Sequence, residues 1–161
     1  MRLGVVSDTH DHLGNVRRIV EIFNGAGVDA VVHTGDVTTP STLALFARLG
    51  VPFHGVLGNN DRDVAGLLET ARREGFEIAP ATLVLEIGGR RVVAIHDPSE
   101  ATPARVGDAD VLLHGHTHRQ TLERRDGRLV FNPGECAGWL AGRNAVGVVD
   151  TRTLRAEVLR F

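Results

Sequence analysis

The spacing of apolar and polar positions along this 161-residue chain changes period midway. Arg2 to Val6 reads as a buried strand, and Leu13, Val16, Ile19, Val20 and Phe23 then recur at helical spacing until Gly25 and Gly27 stop the helix. Asp29 to His33 predicts a second strand, Ser41 to Leu49 a helix opened by Pro40, Val51 to Val56 a third strand, and Asp63 to Glu74 a third helix. Strands alternating with helices of this length imply right-handed crossovers and a largely parallel sheet. After Gly75 the period shortens to two. Thr82 to Ile87 and Arg91 to His96 alternate around Gly88-Gly89, a pair suited to a tight hairpin. Asp110 to His114, Gln120 to Arg124, Leu129 to Phe131, Ala145 to Val149 and Arg155 to Leu159 follow as strands, with Asp126-Gly127 as a second hairpin signal. The expected fold class is α/β, with two mixed sheets packed face to face as a sandwich flanked by helices, in one domain spanning residues 1–161.

Composition narrows the function classes. A formal charge of -2 gives no overall positive field, so no dedicated groove for a long nucleic-acid duplex is expected. All 18 basic residues are Arg, which reads as compositional bias because nothing in the sequence sets them in one stripe. Cys136 stands alone, so neither an internal disulfide nor a thiolate metal cluster can form. With no secretory segment after Met1 and no apolar run near the ~20 residues of a membrane span, the expected compartment is the cytoplasm and no membrane partner is expected. Oligomeric state stays open, a homo-oligomer included.

The chemistry gathers where strands end. Asp8 and His10 follow the first strand two residues apart, which aims both side chains the same way if strand geometry persists. Asp36, after Gly35, can bridge two cations with its two oxygens, and Asn59 offers a neutral carbonyl oxygen. His96 follows another strand, and His116 and His118 repeat the two-residue spacing after Val111-Leu112-Leu113. Imidazoles among carboxylates suit two divalent transition-metal ions, Mn first, with Fe, Zn or Ni as alternatives, and argue against a purely Mg or Ca site. Plainer roles compete: Asp8, Asp11 or Asp36 as helix caps and Asn59 as a turn residue. His12, His33, His54 and His114 are assigned to structural or supporting hydrogen bonds.

The ordered fragments D-x-H, G-D, G-N-x-D, H and G-H-x-H resemble the calcineurin-like metallophosphoesterase superfamily, and Asn132-Pro133-Gly134 adds a resemblance to its small YfcE-type phosphodiesterase branch. The resemblance implies a first metal held by Asp8, His10, Asp36 and His118, and a second by Asp36, Asn59, His96 and His116. It further implies hydrolysis of a small phosphate ester, most simply a diester, by direct attack of a hydroxide shared between the metals. A non-catalytic metal-binding scaffold on the same fold and a nuclease are the rival readings. Three positions depart from the family pattern. Asn60 stands where many relatives carry a proton-donating His, Asp97 where they usually have Gly, and Glu135 where they often have Ser. Asn60 and Asp97 are the candidates for catalytic contact, with Asn60 and Arg62 for substrate and Arg119 as a further phosphate contact.

Overall fold

The computed structural model describes residues 1–161. β1 (Arg2–Val6), β2 (Ala30–His33), β3 (Phe53–Val56) and β4 (Glu77–Ala79) run parallel, and β10 (Ala145–Asp150) and β11 (Arg155–Arg160) extend that sheet antiparallel beyond β1. The second sheet has the order β5 (Thr82–Ile87), β6 (Arg90–Ile95), β7 (Val111–Leu113), β9 (Arg128–Asn132), β8 (Thr121–Arg125). Its three middle strands are parallel and its two edge strands antiparallel. Both sheets are therefore mixed, in keeping with the expected fold class.

Alternation along the strands decides what packs where. In β1, Leu3 and Val5 face the second sheet and meet Leu83, Val92, Val111, Leu129 and Phe131 in the layer between the sheets. Val6 points the other way, with Val31, toward α1 (Leu13–Ala26), α2 (Pro40–Ala44) and α3 (Val64–Glu74), whose Val16, Ile19, Phe23, Leu43 and Leu67 are buried there. A smaller cluster of Val93, Ile95, Leu112 and Val130 packs beneath Val106 of α4 (Pro103–Val106). Close sheet packing needs a missing side chain at Gly147 in β10, because a Cβ there would overlap the Phe131 ring.

Several elements differ from expectation for identifiable reasons. The Ser41–Leu49 helix is a five-residue α2 tightened into a 3-10 turn over Leu45–Arg48, where the Leu45 N–H already reaches back to Thr42. Thr39 caps it, accepting from the Thr42 N–H at 3.4 Å. The three-residue β4 and four-residue α4 are too short to leave a periodic signature. Asp11 does not cap α1. His12 does, its Nδ1 accepting from the Asn15 N–H, while Asp11 accepts from the Thr39 and Thr42 hydroxyls at 2.6 and 2.7 Å and ties the β1 loop to α2. Both hairpin pairs take left-handed backbone, with φ of 59° and 71° at Gly88-Gly89 and 51° and 82° at Asp126-Gly127.

Candidate metal centre

The carboxyl ends of β1, β2 and β3 in one sheet and of β6, β7 and β9 in the other open onto the same rim of the sandwich. Cross-sheet hydrogen bonds join them: the His116 N–H donates to Asp8 Oδ2 at 3.1 Å, and His96 Nδ1 donates to the Thr34 carbonyl at 2.8 Å. Side chains from five strand ends converge there. The route is not the one expected, because strand geometry stops at Val6 and Leu113. Asp8, His10, Asp36, His116 and His118 instead have φ of 51°, 41°, 60°, 67° and 55°. These left-handed turns are costly for non-glycine residues and fold each loop inward at its donor. Gly58 and Gly115 let the loops close, since a Cβ at either would overlap Asp36 or Ser7.

Asp36 lies at the middle. Its Oδ2 is 3.5 Å from both His10 Nε2 and His96 Nε2, while Asn60 donates its backbone N–H to Oδ1 and its side-chain amide to Oδ2, each at 2.8 Å. On one flank, Asp8 Oδ1 faces His118 Nε2 at 3.4 Å and His10 Nε2 at 3.9 Å, with the two imidazole nitrogens 3.2 Å apart. On the other, Asn59 Oδ1 is 2.9 Å from both His96 Nε2 and His116 Nδ1.

The tautomers expose what this cluster needs. His96 Nδ1 must carry its proton, because its partner is a carbonyl oxygen, and His118 Nδ1 likewise donates to Glu135 Oε2 at 3.2 Å. In the neutral imidazoles their Nε2 lone pairs are thereby turned on the carboxylate oxygens of Asp36 and Asp8, so each contact needs a proton or a metal cation between its two atoms. Asp8 Oδ1 is buried with no hydrogen-bond partner, its other oxygen being taken by Ser7 Oγ and the His116 N–H. Lone pairs converging on a buried, unpartnered carboxylate oxygen require positive charge. The two donor groups Asp8, His10, His118 and Asp8, Asp36, His96 can each hold a metal ion. Titration tendencies agree. Burial opposes charge on His96, yet Asp36 and the Thr34 carbonyl raise it to about 8. His118 is raised chiefly by Asp8 against the effect of burial. Burial alone would raise Asp36, but hydrogen bonds from His96 and Asn60 hold it well below the usual carboxylate range.

A supporting layer holds these donors. Asp61, buried at the end of the Gly58 turn, accepts from the N–H groups of Asp36, Thr38 and Gly58 at 3.0, 2.6 and 2.6 Å, which fixes the bridging loop. His33 accepts from the Gly35 N–H and donates to Thr9 Oγ1, both at 3.1 Å. His54 pairs with Glu77, and His114 Nδ1 lies 3.2 Å from the Gly115 carbonyl. Cys136 is fully buried, and burial pushes its thiol far up, so it cannot serve as a nucleophile. Asp97 is half-buried, accepts from the Ser99 N–H at 2.8 Å and places Oδ2 3.8 Å from His116 Nε2. Arg62 is exposed and lines neither cavity beside the histidines, whereas Arg119 lines one of them. Trp139 had no sequence signal. Its ring lies 4.4 Å from His10 and 4.8 Å from His118, centroid to centroid.

A family model for the calcineurin-like phosphoesterase superfamily domain matches residues 1–154, and the chain belongs to that superfamily. Within it, the chain is 36% identical over 155 residues to phosphodiesterase MJ0936 of Methanocaldococcus jannaschii, covering 94% of this chain and 93% of the relative. Phosphodiesterase YfcE of Escherichia coli is 29% identical over 178 residues, covering 99% of this chain and 92% of that protein. The solved structure of an archaeal phosphodiesterase superposes with a TM-score of 0.91 at 34% identity, covering both chains completely. The two-sheet fold is that of the metallophosphoesterases, and the chain is similar along its whole length to these small phosphodiesterases. No helix is long and apolar enough to cross a membrane.

Proposed function

We propose that the chain is a metal-dependent phosphodiesterase acting on a small phosphate ester, with two divalent ions, Mn first among them, held by seven residues. Asp8, His10, Asp36 and His118 are assigned to one ion, and Asp36, Asn59, His96 and His116 to the other. The observation that carries this reading is the convergence of imidazole nitrogens on the Asp8 and Asp36 carboxylates around one rim. When bound, such a pair of ions supplies an activated water for in-line attack and neutralises charge building on the phosphoryl oxygens. Asp36 is positioned to bridge because Asn60 and Asp61 hold its side chain and its loop. Asn60 donates to Asp36 and has no proton to transfer, so leaving groups must depart with little help. The Ser99 N–H lowers Asp97, which therefore stands at the mouth as a carboxylate rather than a proton donor. That charge disfavours dianionic monoesters relative to monoanionic diesters. The single, buried cysteine suits a reducing compartment, and the cytoplasm is the proposed location.

The test is reconstitution of the purified chain with Mn, Fe, Zn or Ni, elemental analysis, and assay of one aryl diester against the matching monoester. Two ions per chain with faster diester turnover are expected. Full occupancy without hydrolysis of either ester would reject the enzyme reading in favour of a scaffold.

A further inference from the structure

Two cavities flank the histidines, and they carry opposite charge. The one beside His96 and His116, about 270 Å³, is bordered by Asp97, Glu100 and Arg105, and Arg105 is already paired with Glu100. The one beside His118, about 510 Å³, is lined by Arg119, Arg143 and Arg160 and by no carboxylate. None of these three guanidiniums has an acidic partner within 4.0 Å; Arg160 is steadied by donating to Gln120 Oε1 at 2.9 Å. Three guanidiniums without a carboxylate partner thus line one concavity, whereas the cavity beside His96 and His116 holds two carboxylates and one guanidinium that is already paired. The groove is continuous with the reaction site, because His118 lines it while directing Nε2 at Asp8.

Resting on the phosphodiesterase reading, we propose that the groove of Arg119, Arg143 and Arg160 is a second anion subsite, and that the preferred substrate is a small diester carrying a terminal phosphate on one arm. Guanidinium forks match the oxygens of a phosphate, and three of them match the double charge of a terminal phosphate better than the single charge of a carboxylate. Opposite charges at the two mouths also orient the diester: the phosphorylated arm lies over the arginines, and the uncharged arm departs past Asp97. Arg143, Arg160 and Arg119 are then specificity residues.

The test compares two substrates with the same leaving group, thymidine 5′-(4-nitrophenyl phosphate) and its 3′-phosphorylated form, on the metal-reconstituted chain. The phosphorylated form should show about tenfold higher kcat/KM, carried by KM, and the Arg143→Gln/Arg160→Gln variant should bring the ratio to within about twofold of one. Equal kcat/KM for both substrates, or a ratio unchanged in the variant, overturns the subsite. Failure to hydrolyse either substrate counts against the phosphodiesterase reading instead. The groove is then judged by calorimetric titration of pyrophosphate into the metal-free protein. Affinity that drops about tenfold in the variant supports it, and absent or unchanged binding overturns it.

Discussion

The two flanks of Asp36 are built from similar donors yet set in unlike surroundings. On the flank of His10 and His118, the side chains are 9% and 20% exposed, the fully buried Asp8 lies between them, Glu135 stands behind His118 and the Trp139 ring covers both imidazoles. On the flank of His96 and His116, His96 is held by a backbone carbonyl, Asn59 is exposed, and His116 is 41% exposed with only Asp97 near its outer nitrogen. One flank carries two carboxylates and the other shares one. Preorganised, more negative donors bind a cation more tightly, so the proposed two-ion assignment predicts firmer retention of the ion beside Asp8 than of its neighbour.

The largest effects test that asymmetry. Asp36→Ala removes the carboxylate whose Oδ2 faces both His10 and His96, and should lower diester kcat/KM at least about a thousandfold, with both ions lost on dialysis. His118→Ala and His116→Ala then separate the flanks. After dialysis against a weak chelator, elemental analysis should find about one ion per chain in His116→Ala and less in His118→Ala. Equal retention would remove the proposed difference between the flanks.

A buried imidazole beside the covered flank gives the next effect, on stability. His33 accepts from the Gly35 N–H at Nδ1, so protonation there would set proton against proton. Burial lowers it from 6.5 to about 4, despite the nearby Asp8 and Asp36 carboxylates. Between those values the unfolded chain takes up a proton that the folded chain refuses. The stabilisation is therefore full above pH 6.5 and is lost as pH falls toward 4, on the order of 3 kcal/mol across the window. Urea denaturation of the metal-free protein at several pH values should show this slope, and His33→Gln, which keeps an acceptor for Gly35, should flatten it. An identical slope in the variant would sink the assignment.

Legibility in the sequence followed length and periodicity. The β5–β6 and β8–β9 hairpins were readable because turn chemistry and alternation coincide at Gly88-Gly89 and Asp126-Gly127. β4 and α4 were not, because three or four residues cannot display a period. The fragments that carry the donors were visible as motifs, but their geometry was not. Two-residue spacing suggests a strand continuing through Asp8 and His10, whereas left-handed turns at both residues accomplish the convergence. Supporting contacts were hidden for a different reason. Glu135 and Trp139 act from a loop far along the chain from His10, and no local pattern joins them.

Glu135 sharpens the comparison at a smaller scale. It is 1% exposed, accepts from His118 Nδ1 at 3.2 Å and from the Leu140 N–H at 2.9 Å, and so ties the donor to the loop that bears Trp139. Glu135→Gln keeps the shape but removes the charge that makes His118 a stronger donor. Affinity for the firmly held ion should fall about ten- to a hundredfold, the usual cost of losing such a partner. As the only tryptophan, Trp139 reports the titration by its fluorescence. Unchanged affinity would mean that Glu135 serves the loop alone.

The smallest expected effect lies on the open flank. Asp97→Asn keeps an oxygen to accept the Ser99 N–H and removes only the charge near His116. A monoester dianion carries one more negative charge than a diester, so it alone should gain noticeably from the change. Because Asp97 is partly exposed, solvent and salt weaken the repulsion, and the monoester-to-diester ratio of kcat/KM should rise only about three- to fivefold at low ionic strength. The rise should shrink at about 0.5 M salt, where charges more than a few ångströms apart are screened. A ratio that does not move at low salt would leave Asp97 as a turn cap with no part in selectivity, and the open flank would then choose between esters by shape alone.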